Sequence, residues 1–315
     1  MALSITGIDP ATGRVIPKGT NVLIPKENAG IGDLVYKNGA NIRIIGRGTA
    51  NAASIAIGGV TYSLYGVIYG FVAGMAMVAA PGETSAYWAA SGVSCSVGPE
   101  YGAGTVLMRN GRKTNYYAQM NTAQNANYIK GGSSAPVTLG SAYQATSLTG
   151  DSDFNALPAA SEIKNKFGSW TEYIRQTLRV NGAPGTPFGA SYTDGEGNVV
   201  KVHEFGRWMT RKVYTTLTPA NFPAIKYCYE YGEGGGVWWL PSMFELAELM
   251  IDEHLTLVRQ NAGIITDVSP GSNRWSCVRL SSGTAWSYVG TGMSDFAGFS
   301  GYQLAVRPVT LLKLV

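Results

Sequence analysis

Charged residues are scarce in this chain. Asp, Glu, Lys and Arg supply 14% of its 315 residues and nearly cancel, leaving a formal net charge of +4, where an ordinary soluble protein is about one quarter charged. The densest cationic run, Arg207-Trp-Met-Thr-Arg-Lys212, is too sparse to track a phosphate backbone and reads as a solvated strand or loop edge, so no nucleic-acid partner is expected. Histidine is nearly absent. His203 falls in the strand-like stretch Val199–Glu204, where neighbouring side chains point to opposite faces, so His203 and Glu204 cannot easily share a metal. His254 falls on a predicted helix. Cys95, Cys228 and Cys277 are widely spaced, odd in number and form no C-x-x-C pair, which argues against zinc. They read as three reduced, half-buried thiols, with at most one disulfide possible.

Other chemistries lack their signatures as well. Gly102-Ala-Gly104 and Glu233-Gly-Gly-Gly236 have neither the spacing nor the Lys-Ser/Thr ending of a phosphate loop. Asp194-Gly-Glu-Gly-Asn198 lacks the twelve-residue calcium pattern and is better explained as a hairpin turn. No acid, base and nucleophile set emerges, so neither catalytic residues, a metal nor a cofactor is expected.

What the chain does have is glycine, at 41 residues, together with 18 Tyr, 7 Trp and 9 Phe. That mixture suggests many short strands and turns, with aromatic contact residues carried on adaptable loops. From Gly48 to Gly82 there is no charged residue. The length would permit a membrane span. Five internal glycines and the β-branched and aromatic residues favour two or three buried strands instead, and no membrane span is expected.

Along the chain, residues 1–58 read as a small β module or anchor arm, with Lys37-Asn-Gly39 as a hairpin signal between Asp33–Tyr36 and Ile42–Ile45. Residues 59–315 read as one larger α+β domain with two main helices. The first spans Pro158–Val180, where Ile163, Phe167, Trp170, Ile174 and Leu178 form an apolar stripe that Asn181-Gly182 terminates. The second runs from Ser242 to about Arg259; Ser242 and Glu245 make a capping box, and Leu246, Leu249 and Met250 carry the stripe.

The second helix follows Gly234-Gly-Gly-Val-Trp-Trp-Leu-Pro241, and downstream stand Arg274-Trp-Ser-Cys277, Ala285-Trp286 and Val306-Arg307-Pro308-Val309. This series resembles the bacterial and phage branch of C-type-lectin-like domains. That branch includes formylglycine-generating-enzyme-like sulfatase modifiers and the variable proteins of diversity-generating retroelements, among them phage tropism determinants. The likeness covers roughly 150–315 and implies a lectin-like fold with short antiparallel strands, in which Trp238, Trp239, Trp275, Trp286 and Arg307 are scaffold.

It also implies that residues 275–307 carry the ligand-facing positions, for which Arg279, Ser281, Ser282, Tyr288, Thr291, Met293, Asp295, Phe296, Phe299 and Tyr302 are the candidates. The Glu-Pro-Asn and Trp-Asn-Asp motifs of calcium-dependent sugar binders are absent, and Cys277 has no partner for the copper site of the sulfatase modifiers. Met1–Pro10 shows no basic stretch followed by an apolar one, so an export signal is not expected. Together these readings suggest a phage virion protein assembled in the host cytoplasm: a head or tail fibre, or its tip. Its expected partners are a host cell-surface receptor, glycan or protein, and other virion proteins through the N-terminal module, in a homotrimer. A capsid-decoration protein or a bacterial surface adhesin is the alternative.

Overall fold

The computed structural model describes residues 5–8, 15–17, 22–49, 52–100, 107–109, 117–119, 191–232, 235–250, 252–261, 263–266, 273–289 and 293–314. The chain divides into two compact units: residues 1–84, 252–269 and 307–315 form the first, 85–251 and 270–306 the second. Helices and largely antiparallel sheets occur together, so the class is α+β.

The first unit is organised by one sheet. Its strands are β3 (Leu23–Ile24), β4 (Leu34–Asn38), β5 (Asn41–Ile45), β6 (Ser54–Ile57), β7 (Val60–Val72), β8 (Met75–Ala79) and β18 (Val309–Leu312), in the order β18-β8-β7-β4-β5-β3, with β6 also on β7. All of these pairings are antiparallel. A separate ribbon pairs β1 (Ile5–Ile8) with β2 (Val15–Pro17). The predicted hairpin is present: Asn38 pairs with Asn41, leaving Gly39 and Ala40 as a two-residue turn.

The charge-free stretch supplies β6, β7 and β8. Val67, Ile68, Tyr69, Met77 and Val78 of this stretch are fully buried, as are Leu34, Val35 and Tyr36 of β4, which is why the centre of the run reads as continuously apolar instead of alternating. No described helix is long and apolar enough to cross a membrane.

Gly66 shows how tightly β7 and β8 fit. A Cβ there would stand 2.5 Å from both the Ala79 carbonyl oxygen and Val78 Cγ1, so only glycine lets the two backbones approach this closely. Helix α4 (Asp252–Arg259) packs against β7 with Leu255 and Val258 buried. Just beyond it, the Asn261 side-chain amide donates to Gly32 O at 2.7 Å and accepts from Gly48 N at 2.9 Å, closing two loops of the sheet. Arg307 is fully buried before β18; it donates to Ala80 O at 2.8 Å and Thr266 O at 2.9 Å and pairs with Glu83 at 3.0 Å.

The expected boundary at residue 58 does not describe this unit. Strands β4 and β5 lie before it and β7 after it, yet β7 hydrogen-bonds to β4 in the same sheet. The C-terminal strand joins that sheet as well. Local turn signals delimit strands, whereas strand pairing across the chain delimits the unit.

The second unit contains the sheet β16-β15-β14-β17-β9, made of β9 (Thr84–Ala86), β14 (Arg274–Ser281), β15 (Thr284–Val289), β16 (Met293–Gly298) and β17 (Leu304–Val306). Strand β17 runs parallel to β14, with Arg274 opposite Ala305, while β15 is antiparallel to both β14 and β16. Two ribbons accompany it: β10 (Leu107–Arg109) with β11 (Tyr117–Gln119), and β12 (Ser191–Thr193) with β13 (Val199–Lys201). Helices α1 (Phe205–Thr216) and α3 (Met243–Leu249) pack on β14, and α2 (Pro223–Glu230) packs on α1.

Three readings need correction, and a fourth falls on residues outside those described. The run Arg207–Lys212 is neither strand nor loop edge; it belongs to α1, because Phe205, Met209 and Val213 recur every fourth residue and are buried, which turns Arg207 and Arg211 outward. His203 sits in a short helical turn after β13, not in a strand, and is buried. The single helix expected over 242–259 is two. Met250 leaves the helical conformation with ψ 8°; the residues before it (Leu246, Leu249) serve the core of the second unit, and those after it (Leu255, Val258) serve the first. The helix expected over 158–180 lies outside the described residues.

Replacing Gly66 by alanine should destabilise the protein by about 1–3 kcal/mol, since the added methyl must push β8 away from β7. Urea denaturation followed by tryptophan fluorescence measures this; a loss below about 0.5 kcal/mol would show that the strands can separate at little cost.

Candidate recognition site

Building outward from the core of the second unit, the first element is the junction ahead of α3. The Ser242 side chain accepts from Glu245 N, and the Glu245 carboxylate accepts from Ser242 N at 2.7 Å: the capping box predicted from sequence. The other Glu245 oxygen takes the Trp239 indole N–H at 2.8 Å. Around this group, Leu240 N donates to Thr210 Oγ1 of α1 at 3.0 Å, and Cys277 N of β14 donates to Pro241 O at 2.7 Å. Gly206 of α1 lies against the same carboxylate with no room for a side chain. Trp238 and Trp239 are buried here, as are Trp275 and Trp286 on the sheet. Burial pushes the Glu245 carboxyl up to about 7, against the opposing pull of the bonds from Ser242 and Trp239.

The second element is a buried aromatic stack. Trp88 is fully buried, lies parallel to Phe299 with centroids 4.2 Å apart and meets the edge of Phe222 at 5.8 Å. Its indole N–H donates to Ser276 O at 2.8 Å, and the Trp275 indole donates to Ala86 O at 2.9 Å. The third element is Arg279, buried on β14. It donates to Cys95 O and Gly98 O at 2.6 Å each and pairs with Glu100 at 3.0 Å, so one guanidinium fastens the 95–100 segment to the sheet.

On this base two turns stand next to each other. Ser281 pairs with Thr284, making Ser282–Gly283 the β14–β15 turn, and its Ser282 carbonyl accepts from Cys95 N at 2.8 Å. After β16 the chain turns through 298–303, with Gly301 N donating to Gly298 O at 3.0 Å. Phe299 joins the two: its N–H donates to Gly283 O at 3.0 Å, while its carbonyl accepts from Trp88 N at 3.0 Å. Ser282, Ser300 and Tyr302 are exposed, Tyr302 at 63%.

The candidates from the sequence separate accordingly. Ser282 and Tyr302 are at the surface, and Ser281 is half-buried. Arg279, Tyr288 and Phe299 are corrected: at 2%, 1% and 3% exposure they are interior and cannot face a ligand. The Ser/Gly/aromatic composition that marked them as contact residues does not distinguish a side chain on the inner face of a strand from one on a turn. Met293, Asp295 and Phe296 lie on β16, their backbones opposite Val289, Ser287 and Trp286; Thr291 lies outside the described residues. Sequence reasoning missed Trp88 and the 95–100 segment, whose partners on β14 and in the turns after β14 and β16 are remote in the chain. The only local hint is a tryptophan beside the apolar pair Ala89-Ala90.

The described cysteines and the acidic loop have structural placements. All three cysteines are free and buried, and burial pushes the Cys228 and Cys277 thiols well above their ordinary range, away from the nucleophilic thiolate. Asp194 accepts from Glu196 N, Asn198 N and Asn198 Nδ2, so the acidic loop is the hairpin turn between β12 and β13. Among the described residues no group of His, Cys, Asp and Glu is arranged to hold a metal.

Because the Glu245 carboxyl is raised in the folded state, its contribution to stability is full below about 4.5 and is lost as pH rises through about 7. Glu245→Gln removes the charge and keeps one of the two acceptors, because its amide oxygen can take the Ser242 N–H while its NH2 group cannot accept from the Trp239 indole; that loss is the same at every pH. Its stability relative to the parent should therefore rise by roughly 1–3 kcal/mol between these pH values, read from denaturation midpoints across the range. A difference that does not change with pH would mean the carboxyl stays ionised throughout.

No protein-family model matches this chain, and no curated protein or solved structure is detectably similar to it.

Proposed function

We propose that this chain is a recognition module, a braced α+β platform that offers the Ser282–Gly283 and Ser300–Gln303 turns to a macromolecular partner. The observation that carries this reading is the lock at Phe299, which holds the two turns together from beneath while Ser282, Ser300 and Tyr302 stay exposed. Turns whose backbones are already fixed lose little entropy on binding. A tyrosine among serines and glycines combines a large amphipathic contact with adaptable hydrogen bonding.

The likeness of Trp238–Pro241, Trp275–Cys277, Ala285–Trp286 and Arg307–Val309 to C-type-lectin-like domains of the phage branch supports the finer reading. The chain is then a lectin-like virion protein, a fibre or its tip, that attaches to a receptor on a bacterial surface. The receptor is a glycan or a protein. The N-terminal strands join other virion proteins, and a homotrimer multiplies weak contacts by avidity.

The test is adsorption of the fluorescently labelled full chain to a panel of intact bacterial strains. Tyr302→Ala should weaken binding to any strain the parent recognises by about tenfold or more, the cost of removing an aromatic anchor. Its thermal midpoint should stay unchanged, because Tyr302 is exposed. Binding indifferent both to this change and to Ser282→Arg would remove the recognition surface, and a chain that binds no strain but protects assembled capsids would be a decoration protein.

A further inference from the structure

Helix α1 and the β12–β13 ribbon border an open cleft of about 590 Å³. Three cations line it. Lys212 forms an ion pair with Glu196 of the ribbon. Arg207 and Arg211 are exposed, stand one helical turn apart, and have no carboxylate within ion-pair distance among the described residues. Arg207 rests 5.9 Å from the Trp239 ring centroid. Half-buried Trp208 lies in the lining between them, its indole tethered by a hydrogen bond to Asp194. Glu204, at the mouth of α1, accepts a long 3.4 Å bond from Lys201 N.

We propose that this cleft binds a carboxylate-bearing sugar. Guanidinium groups grip carboxylates by paired, charge-assisted hydrogen bonds, and two of them a turn apart hold one anion more firmly than either alone. The volume falls within the roughly 300–1,000 Å³ of small-molecule sites. The lining also chooses among anions. The carboxylates of Asp194, Glu196 and Glu204 balance the charges of Arg207, Arg211 and Lys212, so Glu204 repels a phosphate dianion about twice as strongly as a singly charged carboxylate. Glu204 and the Thr215 hydroxyl are instead acceptors for sugar hydroxyls, and Trp208 offers apolar surface to a pyranose ring. None of these residues belongs to the 282–303 turns, so the site is built from different residues than the recognition surface proposed above.

The experiment is calorimetric titration of the full chain with sodium glucuronate, glucose and inorganic phosphate at low ionic strength. Glucuronate should bind with a Kd of roughly 1 mM or tighter, and glucose and phosphate at least about tenfold more weakly. Arg207→Gln and Arg211→Gln should each weaken glucuronate by about tenfold or more, with thermal midpoints unchanged because both side chains are exposed. Three results would overturn the assignment: no glucuronate binding up to about 50 mM, phosphate binding as tightly as glucuronate, or glucuronate affinity that ignores both substitutions.

Discussion

A single buried carboxylate organises the second unit. Glu245 accepts from Ser242 N and from the Trp239 indole, and the Trp-Leu-Pro segment it anchors is bonded to α1 through Thr210 and to β14 through Cys277 N. A carboxylate taken out of water is costly, and the cost shows in a carboxyl raised to about 7. It is offset because the same group satisfies donors that a helix start and a buried indole would otherwise leave open. Three elements thus depend on one side chain, and the sheet that carries the 282–283 and 300–303 turns packs on those elements.

Buried guanidinium groups extend the same logic to segments with little regular structure. Arg279 fastens the 95–100 segment in the second unit, and Arg307 fastens the strand ends around 80–83 and 266 in the first. Each donates to carbonyls that no strand or helix partner satisfies, so irregular backbone can be buried without orphaned groups. A chain poor in charge therefore places several of its cations inside as fasteners. Arg207 and Arg211 are the contrast: they are exposed and line a cleft. The two proposed binding places follow from that division, one built of neutral turns over a locked core, the other of cations turned outward by the helical stripe.

Legibility in the sequence follows the range of the interactions. Ser242 and Glu245 are three positions apart, and the capping box they announce is present; the hairpin near Lys37–Gly39 and the strands of the charge-free stretch are local in the same sense. The α1 stripe of Phe205, Met209 and Val213 was equally local but hidden behind the cationic run that shares its residues. The helix over 242–259 has a continuous apolar pattern, yet its halves belong to different units, because periodicity reports that a face is apolar and not what it meets.

By itself the sequence determined the α+β class, the capped start of α3, the short strands and the aromatic content, since propensity, capping and turn chemistry act within a few residues. Tertiary structure alone decided that Arg279, Tyr288 and Phe299 go inside while Ser282 and Tyr302 stay out. The groups that claim Arg279 lie up to 184 positions away along the chain, and Phe299 is claimed by Trp88 at a similar remove. No local pattern encodes such a pairing; it exists only once the sheet has brought both ends of the unit together.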